Sequence, residues 1–134
     1  MTSRREKTKL ASLEEIKDIS MDIIEATGDM QKVTVGEITR RMGITAPAFY
    51  RYYKNRQELL EVLLLAIYQS YFDAVNDAAQ RKTDGGVCQR LYNTYIAYRQ
   101  WAVDNPVVFR LFAANSDILA MARDNTDVQA LINK

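Results

Sequence analysis

Tyr50, Arg51 and Lys54 are the side chains of this sequence best suited to chemistry, and that chemistry is the recognition of anions. A phenol, a guanidinium and an ammonium fall within five residues, interleaved with the rings of Phe49, Tyr52 and Tyr53. Wound at about 100° per residue, the stretch from Ala46 to Asn55 divides into two stripes. Phe49, Tyr52 and Tyr53 share one side, with Ala48 at its edge. Pro47, Tyr50, Arg51 and Lys54 share the other, at i, i+3, i+4 and i+7. Such a helix can bury its aromatic back and turn its cationic front toward phosphates, which is the layout of a recognition helix. A charged stripe by itself is an ordinary solvated face, and the three rings suit a core better than a base-stacking platform. The flanking residues therefore carry the argument.

Those flanks describe a helix, a glycine turn and a second helix. Val35, Ile38 and Met42 form one apolar stripe, and Thr34 with Glu37 makes a capping box that starts a helix at Val35. Gly43 suits the left-handed residue that ends it. Thr45 can cap the next helix, whose first turn tolerates Pro47. Between Arg40 and Arg56 stand five basic residues (Arg40, Arg41, Arg51, Lys54, Arg56) and no acidic one. Arg51 suits bidentate bonding to guanine. Tyr50, Thr34, Thr45, Lys54 and Arg56 suit phosphates, which set register without reading sequence. Ala46, Pro47 and Ala48 form the first turn of the reading helix, where Ala48 is small enough to approach a thymine methyl.

Composition narrows the class of function. The 134 residues are 48% apolar and carry a net charge of only +1. That charge is uneven: residues 1–57 hold 11 Lys and Arg against 8 Asp and Glu, and residues 58–134 hold 7 against 9. A basic front and an acidic back suit a protein that meets nucleic acid with one end. The sequence has no histidine, which argues against a metal site and against Ser-His-Asp catalysis. With no paired-carboxylate constellation and no glycine-rich phosphate loop, an enzyme is not expected, and no cofactor is implied. The single cysteine, Cys88, cannot pair within the chain and suits a reducing compartment. No signal peptide is recognisable, and the longest apolar run, Val62 to Tyr68, is far short of a membrane span. A cytoplasmic protein is expected.

The elements that must position the reading segment are all helical. Thr2 to Lys9 reads as a solvated tail or, more sharply, as a basic arm that adds phosphate contacts or enters the minor groove. Ser12 and Glu15 form a capping box for a first helix with Leu13, Ile16, Ile19, Ser20, Ile23 and Ile24 on one face, stopping near Thr27-Gly28. Asn55 with Glu58 caps a long helix from Arg56 to about Gln80, apolar all round at Val62–Ile67 and so expected to be buried on several sides. After a loop at Thr83–Gly86, a helix places Val87, Leu91, Tyr95, Tyr98 and Ala102 on one stripe. Asn105-Pro106 ends it and starts a short helix expected to bury Val108, Leu111 and Phe112. A last helix runs through Ile118 and Met121, with a break near Asp124-Asn125, to Leu131.

The run from Ile16 to Leu65 resembles the DNA-binding domain of TetR-family transcriptional regulators. The matching features are Thr34-Val35-Gly36-Glu37-Ile38, Met42-Gly43-Ile44-Thr45, Phe49-Tyr50-Arg51-Tyr52-Tyr53 and Lys54 to Leu60. In one respect it differs: the family often carries a small residue at Pro47 and proline one place earlier, at Ala46. The stretch Tyr92-x-x-Tyr95-x-x-Tyr98-Arg99-x-Trp101, followed by Asn105-Pro106 and Phe109-Arg110-Leu111-Phe112, is similar to the start of one effector-domain type of that family. The resemblance implies an all-α protein, with a three-helix helix-turn-helix domain joined by a long helix to a helical ligand-binding and dimerisation domain. The expected divisions are a basic arm at 1–9, a DNA-binding domain at 10–68 (helix-turn-helix about 34–53) and an effector domain at 69–134. It further implies a repressor released from a double-stranded DNA operator by a small hydrophobic effector. The aromatics Tyr68, Tyr71, Phe72, Tyr92, Tyr95, Tyr98, Trp101, Phe109 and Phe112 read first as core, and all of them but Phe72 are candidates for lining the effector pocket. Two further helices, through which family members dimerise, would be missing after Lys134, so the effector domain reads as incomplete. Homodimerisation is expected of the full domain. The competing reading is a helical small-molecule-binding or protein-interaction module without DNA binding.

Overall fold

A computed structural model describes residues 3–114, 120 and 123–132. It divides into two compact units, residues 1–63 and 64–134, and all regular structure among the described residues is helical.

In the first unit, α1 (Arg4–Thr27) is followed by a single 3-10 turn (Met30–Lys32), α2 (Val35–Met42), the four-residue α3 (Ala46–Phe49) and the start of α4 (Arg56–Gln80). Each end has a local cause. Ser3 caps α1 through the capping box expected nine residues later: its Oγ accepts from the Glu6 amide at 3.2 Å, and Glu6 Oε2 accepts from the Ser3 amide at 2.6 Å. Ser12 lies inside the helix instead, its hydroxyl donating to the Thr8 carbonyl. Residues 4–9 are therefore helix, neither tail nor free arm. Gly28 and Gly43 end α1 and α2 with φ of 65° and 67°, in the left-handed region that costs other residues about 1–2 kcal/mol. Thr34 Oγ1 accepts from the Glu37 amide and Thr45 Oγ1 from the Ala48 amide, as the capping residues require. Asn55 Oδ1 accepts from the Glu58 amide, while the Glu58 carboxylate takes the Lys54 amide.

The core of this unit is aliphatic around one aromatic pair. Ile16, Ile23, Ile24, Val33, Ile38, Phe49, Leu59 and Leu63 are sealed from solvent. Ser20 is buried among them, and its hydroxyl donates to the Ile16 carbonyl, so the polar group is satisfied within its own helix. Arg56 adds a tie across sequence: its Nε donates to the Val33 carbonyl at 2.6 Å and its Nη2 to the Met30 carbonyl at 2.9 Å.

The second unit contains the rest of α4, α5 (Gly86–Asp104), α6 (Pro106–Ala114) and α7 (Thr126–Ile132). Leu64 and Ile67 of α4 are buried; Leu65 and Ala66 are half-buried. Trp101 of α5 is buried, and its Nε1 donates to Ser70 Oγ on α4 at 3.2 Å. Asn105 joins α5 to α6, capping the first with its amide on the Trp101 carbonyl and accepting from the Phe109 amide. Val108 is buried and Leu111 half-buried; the side chain of Phe112 lies outside the described residues. So do Asn115–Asp117, Ile118 and Met121. The expected break appears at Asn125, whose Oδ1 accepts from the Asp127 and Val128 amides at the start of α7.

One expected face is reversed. Val87, Leu91 and Tyr95 are 61–66% exposed, and the buried residue of α5 is Trp101. Periodicity identifies an apolar stripe but not whether anything covers it.

Candidate nucleic-acid interface

The reading segment is shorter as a helix than its periodicity suggests. Only Ala46–Phe49 is α-helical; the chain then tightens, with Arg51 donating to the Ala48 carbonyl and Tyr52 to the Phe49 carbonyl. A face argument at 100° per residue therefore weakens after Phe49. What survives is a separation by burial. Phe49 and Tyr53 are buried and stack with ring centroids 5.9 Å apart. Tyr50 meets the Phe49 ring edge-on at 5.4 Å yet remains 52% exposed, so its ring is fixed from behind while its surface stays open. Tyr52 is half-buried, short of the core position expected of it, whereas Arg51, Lys54, Thr45, Ala46, Pro47 and Thr34 are exposed and Ala48 is half-buried. Burial pushes the Tyr53 phenol above its ordinary pKa, with the charges of Glu14 and Glu58 adding to the effect. Both capping threonines spend a lone pair on a backbone amide and keep their protons for an outside acceptor.

The five basic residues counted from Arg40 to Arg56 prove unequal. Glu37 accepts from Arg40 Nη2 at 2.7 Å and Arg41 Nε at 2.7 Å. Those two hydrogen bonds, Arg40 first, lower its carboxyl from 4.5 to about 2. Arg56 is turned inward onto the carbonyls of Met30 and Val33. This corrects its expected place among the phosphate ligands: the Val33 carbonyl, and the Met30 carbonyl that already accepts from the Val33 amide, draw the guanidinium away from solvent. The side chains of Arg51 and Lys54 make no hydrogen bond or ion pair within the described residues. They are the cations of this group free to meet an external anion.

A neighbouring feature is absent from the sequence reading. Arg51 and Tyr52 share a cleft of about 850 Å³ with Ser3, Arg4, Arg5, Glu6, Thr8 and Lys9 of α1. Its signal was present as the Ser3-Arg-Arg-Glu6 capping box, masked by the similar Ser12-Leu-Glu-Glu15.

The expected pocket residues of the second unit divide into groups. Tyr71 contacts Phe72, Tyr98 and Trp101 with centroids at 5.1, 6.0 and 5.3 Å, Tyr68 stacks on Phe72, and Tyr98 meets Phe109. Burial raises the pKa of Tyr68 and Tyr71. Tyr92 instead lines a separate cleft of about 430 Å³ between α4 and α5, with Ala74, Ala78, Asn93, Ile96 and Gln100. Tyr95 is 61% exposed and belongs to neither group. No cluster of His, Cys, Asp or Glu able to hold a metal occurs among the described residues, and none of their helices is long and apolar enough to cross a membrane.

Comparison with known proteins agrees with this arrangement. Residues 26–63 match the family described as bacterial regulatory proteins, tetR family. The HTH-type transcriptional regulator Rv1816 of Mycobacterium tuberculosis is 34% identical over 74 residues, covering 55% of this chain and 32% of that protein. BetI of Klebsiella pneumoniae, also an HTH-type transcriptional regulator, is 32% identical over 74 residues, or 55% and 37% of the two chains. The nucleoid occlusion factor SlmA of Actinobacillus pleuropneumoniae is 24% identical over 105 residues, or 77% and 50%. In the crystal structure of SCO4313, described as a regulatory protein, the fold matches with a TM-score of 0.71 at 29% identity, over 98% of this chain and 63% of that one. The chain thus spans about a third to a half of the length of these curated relatives. The helix-turn-helix geometry, the match at residues 26–63 and the shared fold make the chain similar to the tetR family of bacterial regulatory proteins, with the likeness strongest in the helix-turn-helix unit.

Proposed function

We propose that the chain is a sequence-specific DNA-binding transcriptional regulator, acting in the cytoplasm as a ligand-responsive repressor. The observation that carries the reading is the contrast across one segment: Phe49 and Tyr53 buried, Tyr50, Arg51 and Lys54 exposed. In this reading Tyr50, Lys54 and the hydroxyls of Thr34 and Thr45 donate to phosphates and set the register of α3 in the major groove. Ala46, Pro47 and Ala48 bring small apolar groups to the base edges. Two such heads in a homodimer, about 34 Å apart, would read two half-sites.

The effector is proposed to be a small hydrophobic molecule held in the second unit, where the ring cluster about Tyr71, Tyr98 and Trp101 and the α4–α5 cleft offer apolar surface beside polar groups. Its effect on operator affinity is a coupling free energy between the two sites, with α4 common to both units.

The test is a titration of the chain against promoter DNA and against unrelated duplexes. Tyr50→Ala should weaken binding about tenfold on every sequence, since a lost phosphate contact does not discriminate bases, with no loss of thermal stability. Failure of the unmodified chain to bind any duplex would refute the reading.

A further inference from the structure

We propose that the first two turns of α1 and the turn following α3 form a cleft for the DNA backbone, and that Arg51 belongs to this cleft instead of reading a base. The inference rests on the DNA-binding reading above and adds a second, sequence-independent contact to it.

Three observations meet here. Because α1 begins at Arg4, its basic residues ride on a capped helix, held at fixed spacing beside the turn that follows α3. Arg4, Arg5 and Lys9 then converge with Arg51 on a single open cleft of about 850 Å³. Finally, none of these four cations has a side-chain hydrogen bond or ion pair within the described residues, in contrast to Arg40, Arg41 and Arg56.

Charge bookkeeping favours an anion. Four cations face one carboxylate, that of Glu6, which is already bonded to the Ser3 amide and held below the usual carboxylate pKa by that bond. The amino end of α1 adds its own positive partial charge. Like charges gathered without partners repel one another, and an anion spanning several of them relieves that repulsion. A sugar–phosphate strand offers charges at regular spacing along an open groove, which suits the open form of this cleft. Tyr52, half-buried, lines its wall.

The role of Arg51 follows from its place. It sits two residues beyond the last residue of α3, in the tightened turn, alongside the α1 cations. A guanidinium there is set to neutralise phosphate.

The experiment measures affinity of the full chain for mixed-sequence duplexes by fluorescence anisotropy, across a salt series of about 50 to 200 mM. Each phosphate contact contributes about 0.9 to the slope of log affinity against log salt. Combining Arg4→Gln, Arg5→Gln and Lys9→Gln should therefore lower the slope by roughly 2 to 3 and weaken binding at least tenfold, and the corresponding lysine substitutions at Arg4 and Arg5, with Lys9 kept, should restore both. Arg51→Gln should lower the slope by about 1 and weaken all duplexes alike. A triple variant matching the unmodified chain in slope and affinity would overturn the cleft, as would an Arg51→Gln variant that changes preference at one base position with its slope intact. Absence of salt-dependent binding by the unmodified chain would overturn the DNA-binding reading together with the cleft. All four side chains are exposed, so unchanged melting curves should accompany every variant.

Discussion

The two units bury their apolar residues very differently. Among the described residues of 1–63, eleven hydrophobic side chains are buried, and the large exposed ones are Leu10 and Tyr50. Among the described residues of 64–134 the buried set is Leu64, Ile67, Ala78, Trp101, Val108 and Val128, while Val87, Leu91, Tyr92, Tyr95, Ile96, Tyr98 and Val103 of α5 stand at least 38% exposed. The ends of the helices differ in the same sense. Side chains of Ser3, Thr34, Thr45 and Asn55 bond the first amides of the amino-terminal helices; α5 starts after Gly85 with no side-chain cap. The first unit closes on itself, and the single exposed tyrosine it keeps lies just after α3, in the segment proposed to meet DNA. An exposed aromatic therefore carries different weight in each place: Tyr50 is isolated and braced by Phe49, whereas Tyr92 and Tyr95 belong to a continuous uncovered stripe.

Substitutions can break this contrast, and the largest effect should come from Phe49→Ala. Phe49 is fully buried under both Tyr50 and Tyr53, and loss of a buried Phe costs about 3–5 kcal/mol. Chemical denaturation followed by circular dichroism should show that loss, with duplex binding abolished in parallel. Arg56→Met should cost less, about 1–3 kcal/mol, by leaving the Val33 carbonyl without its donor and the Met30 carbonyl with the Val33 amide alone. Its salt slope for DNA should stay that of the unmodified chain, which separates a brace from a phosphate ligand. Leu91→Lys should change stability by less than about 0.5 kcal/mol, since Leu91 is 66% exposed. It should nonetheless reduce the binding of a dye that reports exposed apolar surface.

Much of the fold was legible because its signals are local. Thr34, Gly43, Thr45 and Asn55 act within three or four residues of themselves, and each ends or starts a helix where its type requires. The start of the first helix is ambiguous in sequence because two Ser-x-x-Glu patterns lie nine residues apart, and only the Ser3–Glu6 one forms a capping box. The later one lies inside the helix, and the earlier one carries Arg4, Arg5 and Lys9 into order. The candidate site was legible in its exposed Tyr50 and Lys54 and its buried Phe49 and Tyr53. It was not legible in its charges, because Arg56 finds its acceptors 23 and 26 residues away.

What the sequence determined by itself is which residues cap, which coil and which repeat with helical period, since those preferences are fixed by neighbours one turn away. Tertiary structure alone decided which cations remain free, which apolar stripe is covered, and that residues 3–9 meet Arg51 in one cleft. The physical reason is distance along the chain: burial and pairing depend on partners that only folding brings near.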